Sequence, residues 1–241
     1  MSRTLLSMEN IDVYYGDFLA VHDVCIDIEE GSITAIIGAN SAGKSTLLNA
    51  LMGVNKITKG TVTYKGVSIK GLKTYDIVRR GISMAPEGSC VFEPMTVQEN
   101  LYMGAYLPGP NKRKKELLET VYELFPVLKE KANQLASFLS GGQRQMLAIA
   151  RTLMSDPELI LCDEVSLGLA PVVILDIYEK IHEINKIGKT IILVDQEVHR
   201  SLENSAYSYV MVKGSVVMHG KSSELPEEEV KDAFFGINKY A

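Results

Sequence analysis

A chain of 241 residues, 46% hydrophobic and 23% charged, has the composition of a folded protein with a sizeable core, which excludes disordered and fibrous classes. Its net charge of -5 opposes general binding to a phosphate backbone, and no basic stripe offsets it, so nucleic acid is not an expected partner. Three scattered cysteines, Cys25, Cys90 and Cys162, fit reduced thiols in a cytoplasm; the apolar runs are too short to span a bilayer, and the first ten residues read as neither a signal nor a transit peptide.

In chain order, residues 5–13, 24–28, 33–37, 61–64 and 67–69 are β-rich between turns, which predicts antiparallel strands flanking one central strand. Thr96 and Glu99 have the spacing of a capping box and open a helical region. The basic run Lys112, Arg113, Lys114, Lys115 lies just before the next helix and reads as a solvated loop, with anionic lipid headgroups as the alternative partner. Leu117, Leu118, Val121, Leu124, Phe125 and Leu128 make one apolar stripe, so a single amphipathic helix is expected there. Met146, Ile149, Ala150, Leu153 and Met154 mark another helix, ended by Asp156 and Pro157. Residues 159–162 and 190–194 are unbroken apolar strands, as in a parallel sheet covered on both faces. Pro226 followed by Glu227, Glu228 and Glu229 opens a short terminal helix that docks through Val230, Phe234 and Phe235.

Three stretches carry chemistry. The strand 33–37 runs into Gly38, Ala39, Asn40, Ser41, Ala42, Gly43, Lys44, Ser45 and Thr46, the glycine-rich pattern whose backbone N–H groups turn toward phosphates. Lys44 adds a mobile cation and the Ser45 hydroxyl a ligand for Mg2+. The strand 159–162 ends in Asp163 and Glu164. If it lies beside the first strand, Asp163 reaches the metal shell and Glu164 is the base for water, whereas taken alone the two acids could simply begin a surface loop. Leu139, Ser140, Gly141, Gly142 and Gln143 precede a helix: Ser140 and Gln143 suit an ordinary capping box, and the same hydroxyl and glycine amides suit an anion half-site that needs another chain.

Together these motifs, in this order, resemble the ATP-binding cassette family, the nucleotide-binding subunits of ABC transporters, over about residues 5–220. The resemblance implies an α/β fold: a P-loop NTPase core with an antiparallel β subdomain and an inserted α-helical subdomain. It implies one domain over 1–241, with core residues 1–87 and 157–220, helical subdomain 88–156 and C-terminal tail 221–241. Tyr15 looks like the aromatic that stacks on adenine, with Tyr14 the weaker choice. Where most cassettes carry Gln between core and helical subdomain this chain has Glu87, within Pro86-Glu-Gly88; Gln196 replaces the usual switch His, and Ala170 a usual aspartate. These departures are similar to the LivF-type ATPase of branched-chain amino-acid importers, although Ser41 and Val165 are unusual even there.

The implied activity is Mg2+-dependent ATP hydrolysis. Lys44 and the loop hold phosphates, Ser45, Asp163 and Glu87 organise Mg2+, Glu164 polarises water, Gln196 contacts the γ-phosphate and Ser140–Gln143 serve the opposite chain's nucleotide. The implied partners are a second ATPase subunit, identical or paralogous, membrane permease subunits and, indirectly, an external substrate-binding protein, with the chain on the cytoplasmic face of the membrane. Alternatives are an importer ATPase for urea or short amides, a lipid exporter's ATPase, and a cassette outside transport.

Overall fold

The computed structural model describes residues 3–107 and 111–235. The chain begins with β1 (Thr4–Tyr15), β2 (Phe18–Glu29), β3 (Ile33–Ile37), α1 (Lys44–Leu51), β4 (Ile57–Tyr64), β5 (Val67–Ser68), α2 (Thr74–Arg79) and β6 (Ile82–Ala85). A helical run follows, with α3 (Val97–Gly104), α4 (Asn111–Leu124), α5 (Pro126–Glu130) and α6 (Gly141–Leu153). Strands and helices then mix: β7 (Leu159–Asp163), α7 (Pro171–Lys186), β8 (Thr190–Asp195), α8 (Val198–Glu203), β9 (Tyr207–Val212), β10 (Ser215–Lys221) and α9 (Glu227–Phe235). Two compact units result, one from Met1–Ile77 with Thr190–Ala241 and one from Val78–Lys189.

In the first unit, β2, β1, β4 and β5 form an antiparallel sheet in that order. The central strand does not sit among them, as the local pattern suggested. β3 instead lies between β8 and β9 and runs parallel to both, with β10 antiparallel to β9. All five β3 residues are buried, so the strand has no polar face to offer water and must be covered on both sides. Ala35, Ile37, Val198, Val210 and Val230 pack together, joined by Leu202, Leu225 and Phe234, so α8 and α9 cover one side of this sheet. The expected terminal helix therefore docks through Val230 and Phe234. The side chain of Phe235 is outside the described residues.

In the second unit, β6 and β7 pair in parallel, Ile82 opposite Leu159 and Ala85 opposite Cys162. The apolar stripe expected as one helix is split. Pro126 has no N–H and clashes with a continuing helical turn, so Phe125 leaves the helical region (φ -127°, ψ 71°) and α5 starts anew at Pro126. Leu118, Val121, Leu124, Phe125 and Leu128 are buried nonetheless, so the stripe marked the buried face correctly across the break. The basic run is also not a loop, because α4 begins at Asn111 and contains it. Arg113 Nε donates to Asp156 at 3.0 Å, and Lys189 Nζ donates to the same carboxylate at 3.1 Å, which ties the ends of three helices. Thr96 accepts from the Glu99 amide and Glu99 accepts in return from Thr96, the full capping box expected at α3. No helix among the described residues is long and apolar enough to cross a membrane.

Candidate nucleotide site

In the first unit, the buried strand β3 delivers the loop 38–43 directly to the N-terminus of α1. Lys44 is 3% exposed, and its ammonium is satisfied within the loop, donating to Gly38 O at 2.7 Å and Ala39 O at 2.9 Å. Ser41 takes φ +66°, so a residue that bears a side chain sits in the left-handed region. Gly43 has a firmer requirement: φ is +99°, and an added Cβ would lie 2.7 Å from Ala20 O of β2. A strap from the other end of the chain closes the loop, since Gly214 N donates to Ala42 O (3.0 Å) and His22 N donates to Gly214 O (2.8 Å).

The β3–β8 register sets Ile37 opposite Asp195, so the phosphate-type loop and Gln196 leave the same end of adjacent strands. Asp195 is 5% exposed and accepts from the backbone of Gln196 (2.7 Å) and Glu197 (3.1 Å), which fixes the turn that presents half-buried Gln196. The motif reading passed over Asp195. Its signal was an acid closing an apolar strand, the same signal that singled out Asp163. Tyr15 is 73% exposed and pairs across the β1–β2 hairpin with Phe18, which is 72% exposed; Tyr14 is more covered. Phe18 was likewise not singled out.

In the second unit, the parallel β6–β7 register brings the loop after Ala85 and the acids after Cys162 to one end of that pair. Asp163 and Glu164 are both buried, Glu164 at φ +46°, and Glu164 O accepts from Leu167 N at 3.1 Å. Glu87 stands exposed in its loop. Burial, with the Asp163 charge beside it, pushes the Cys162 thiol up to about 12, so this sulfur is a packing group and no nucleophile. Ser140 caps α6: its Oγ accepts from Gln143 N (3.3 Å), and its own N–H donates to Gln143 Oε1 (3.2 Å). The hydroxyl proton of a serine that accepts in this way is still available to donate. Gly141 is exposed and Gly142 buried, where an added Cβ would fall 2.2 Å from Val173 Cγ1 of α7. A phosphate at this helix start would meet one hydroxyl, glycine amides and the positive end of the helix dipole.

Residues 21–166 match the family model described as ABC transporter. The chain belongs to the ABC transporter family. It is an ATP-binding cassette ATPase with that family's α/β fold. It is 42% identical over 233 residues to the high-affinity branched-chain amino acid transport ATP-binding protein BraG of Pseudomonas aeruginosa, covering 96% of this chain and 100% of the relative. It is 34% identical to the probable branched-chain amino acid transport ATP-binding protein LivF of Archaeoglobus fulgidus, over 93% of this chain and 95% of that one. Among solved structures, a nucleotide-free cassette from an ABC transporter superposes with a TM-score of 0.82 at 30% identity, covering 95% of this chain and 94% of that chain. An ABC transporter cassette in its ADP conformation gives the same TM-score at 27% identity, covering 98% and 96%.

Proposed function

We propose that this chain is the ATP-hydrolysing subunit of an importer of branched-chain amino acids. The observation that carries this reading is the similarity to BraG, a protein named for branched-chain amino-acid transport, along that relative's entire length. Within this reading, residues 1–87 and 157–220 are the nucleotide-binding core, 88–156 the helical subdomain and 221–241 a tail. Two such subunits, identical or paralogous, hold ATP between them, and permease subunits keep the pair at the cytoplasmic face of a membrane. An external binding protein supplies the amino acid.

The mechanism follows from the residues. When ATP enters, the Lys44 ammonium exchanges the carbonyls of Gly38 and Ala39 for phosphate oxygens, so a buried cation keeps full hydrogen bonding throughout. The amides of residues 38–45 and the α1 N-terminus hold the remaining phosphate charge, with Thr46 in the same turn. Tyr15 covers the adenine. Ser45, Asp163 and Glu87 offer only hard oxygen donors, which fit Mg2+, an ion that takes most of its shell from water and substrate phosphates. Bound there, it supplies neutralisation of phosphate charge. Glu164 orients a water and accepts its proton as the water attacks the γ-phosphorus, while the Gln196 amide donates to the γ-phosphate. Ser140 and the amides after it donate to the nucleotide held by the other subunit.

The test is reconstitution with branched-chain amino-acid permease subunits and their binding protein from the same source as this chain. Leucine, isoleucine or valine should stimulate ATP turnover in proteoliposomes, and urea, short amides and lipid should not. Stimulation by one of those others alone would reassign the substrate while leaving the ATPase intact.

A further inference from the structure

The loop that carries Glu87 is held in a conformation that costs energy. Three successive residues occupy the left-handed region, Gly88 (φ +77°), Ser89 (+64°) and Cys90 (+42°), and two of them bear side chains. Three ties keep it there. Ser89 Oγ donates to Gln145 Oε1 at 2.6 Å, Arg151 Nη2 donates to Cys90 O at 2.8 Å, and buried Asn100 accepts from Phe92 N and donates to Phe92 O. The first tie is chemically unusual. Gln145 is 4% exposed, and its Nε2 is buried without a hydrogen-bond partner among the described residues, so the amide is placed for one bond with Ser89 at the cost of its other half.

Gln145 lies on α6, the helix that Ser140 caps, about 7.5 Å along the axis from that cap. We propose that the Ser89–Gln145 hydrogen bond is a latch through which helix α6 positions Glu87. This rests on the reading that Glu87 and Ser140 serve nucleotide turnover. A helix moves as a rod, so a shift at its capped start appears at Gln145, passes to Ser89 and reaches Glu87 two residues away. Left-handed residues in a short loop are well placed to respond, because they can relax to ordinary φ once released. Ser89 and Gln145 are therefore positioning residues, and neither is proposed to touch the substrate.

The test uses the intact transporter and separates strain from the latch. Ser89→Gly puts in place a residue that adopts positive φ without steric cost but deletes the hydroxyl, and Gln145→Leu fills the same buried space without polar atoms. Each should lower kcat about tenfold with KM for ATP within about twofold, and the double variant should be no slower than either single one. Ser89→Asn, which tolerates the left-handed region and can donate, should keep kcat within about threefold of the parent. Gln145→Leu should melt at or above the parent's temperature, which a purely structural role would not allow alongside lost turnover. Parental kcat in Ser89→Gly, kcat and KM falling together, or losses that multiply in the double variant would each overturn the latch. Glu164→Gln is run in parallel: retained turnover there would overturn the ATPase assignments themselves, whereas lost turnover there with an unchanged Ser89→Gly overturns only the latch.

Discussion

Gln196 shows how a single replacement changes what pH can do. A histidine at that point would titrate near 6.5, but an amide donates a hydrogen bond without changing charge. The turn that presents it is fixed by the Asp195 carboxylate accepting two backbone N–H groups. Turnover should therefore show no limb from this residue between about pH 6 and 8, and Gln196→His should introduce one in that window. Gln196→Ala should slow hydrolysis by about 1.5–3 kcal/mol of lost charge-assisted hydrogen bonding. Steady-state ATPase against pH for the three proteins checks this, and equal rates for the parent and Gln196→Ala would remove Gln196 from the site. The identities of Lys44, Asp163, Glu164 and Gln196 were legible because each follows an apolar strand or a glycine pattern. Their surroundings were not: the positive φ of Ser41 and Glu164, and the bond of Ser89 to Gln145, depend on backbone that only the folded neighbours impose.

Elements bear two further consequences. Gly142 lies at the second position of α6, where α7 comes so close that a methyl would meet Val173. Gly142→Ala should destabilise by about 1–3 kcal/mol through overpacking, and Val173→Ala should restore most of the loss in the double variant. Denaturant melts decide it, with simple additivity as the contrary result. At the other end of the chain, His199 of α8 reaches Glu227 of α9 through Nδ1 at 2.9 Å and Glu203 through Nε2 at 3.2 Å. Its hydrogen bond to Glu227, and then the charge of Glu203, raise its pKa above the usual histidine value. A pKa raised on folding gives stability that is full below the unfolded value of about 6.5 and is lost as pH rises through the higher folded value. Thermal melts of the parent and His199→Gln should thus differ more at pH 6 than at pH 8.5, and a gap that does not change with pH would show that the ion pair adds nothing. Helices α3, α4 and α6 were legible from periodicity and caps, whereas α2 and the long α7 were not read. The break at Pro126 was hidden because the apolar stripe continues across it, and the strands β6, β9 and β10 were missed because their pattern is short or mixed.

At the scale of the whole molecule, the chain leaves its first compact unit after Ile77 and returns at Thr190, so β3 finds its partners β8 and β9 far along the sequence. Pairings of that kind leave no local trace, which is why the central strand was expected among its sequence neighbours. The same scale governs the proposed turnover, in which Ser140, the cap of α6, and the amides after it serve the nucleotide of the second subunit. Glu164→Gln removes the proton acceptor but keeps the size and hydrogen bonding of the side chain, so the variant should bind ATP and fail to hydrolyse it. With hydrolysis blocked, each bound nucleotide keeps contacting both subunits, and mass action favours the pair. Size-exclusion chromatography of Glu164→Gln with ATP and Mg2+, with its natural partner subunit supplied, should give a dimer that falls apart when ATP is replaced by ADP. Adding Ser140→Arg to that variant should prevent the dimer while nucleotide titration of the separate chain stays unchanged, since the arginine obstructs only the face offered to the other subunit's nucleotide. A Glu164→Gln chain that stays monomeric with ATP and every natural partner, or a dimer indifferent to Ser140→Arg, would mean that Ser140 serves only as the cap of α6.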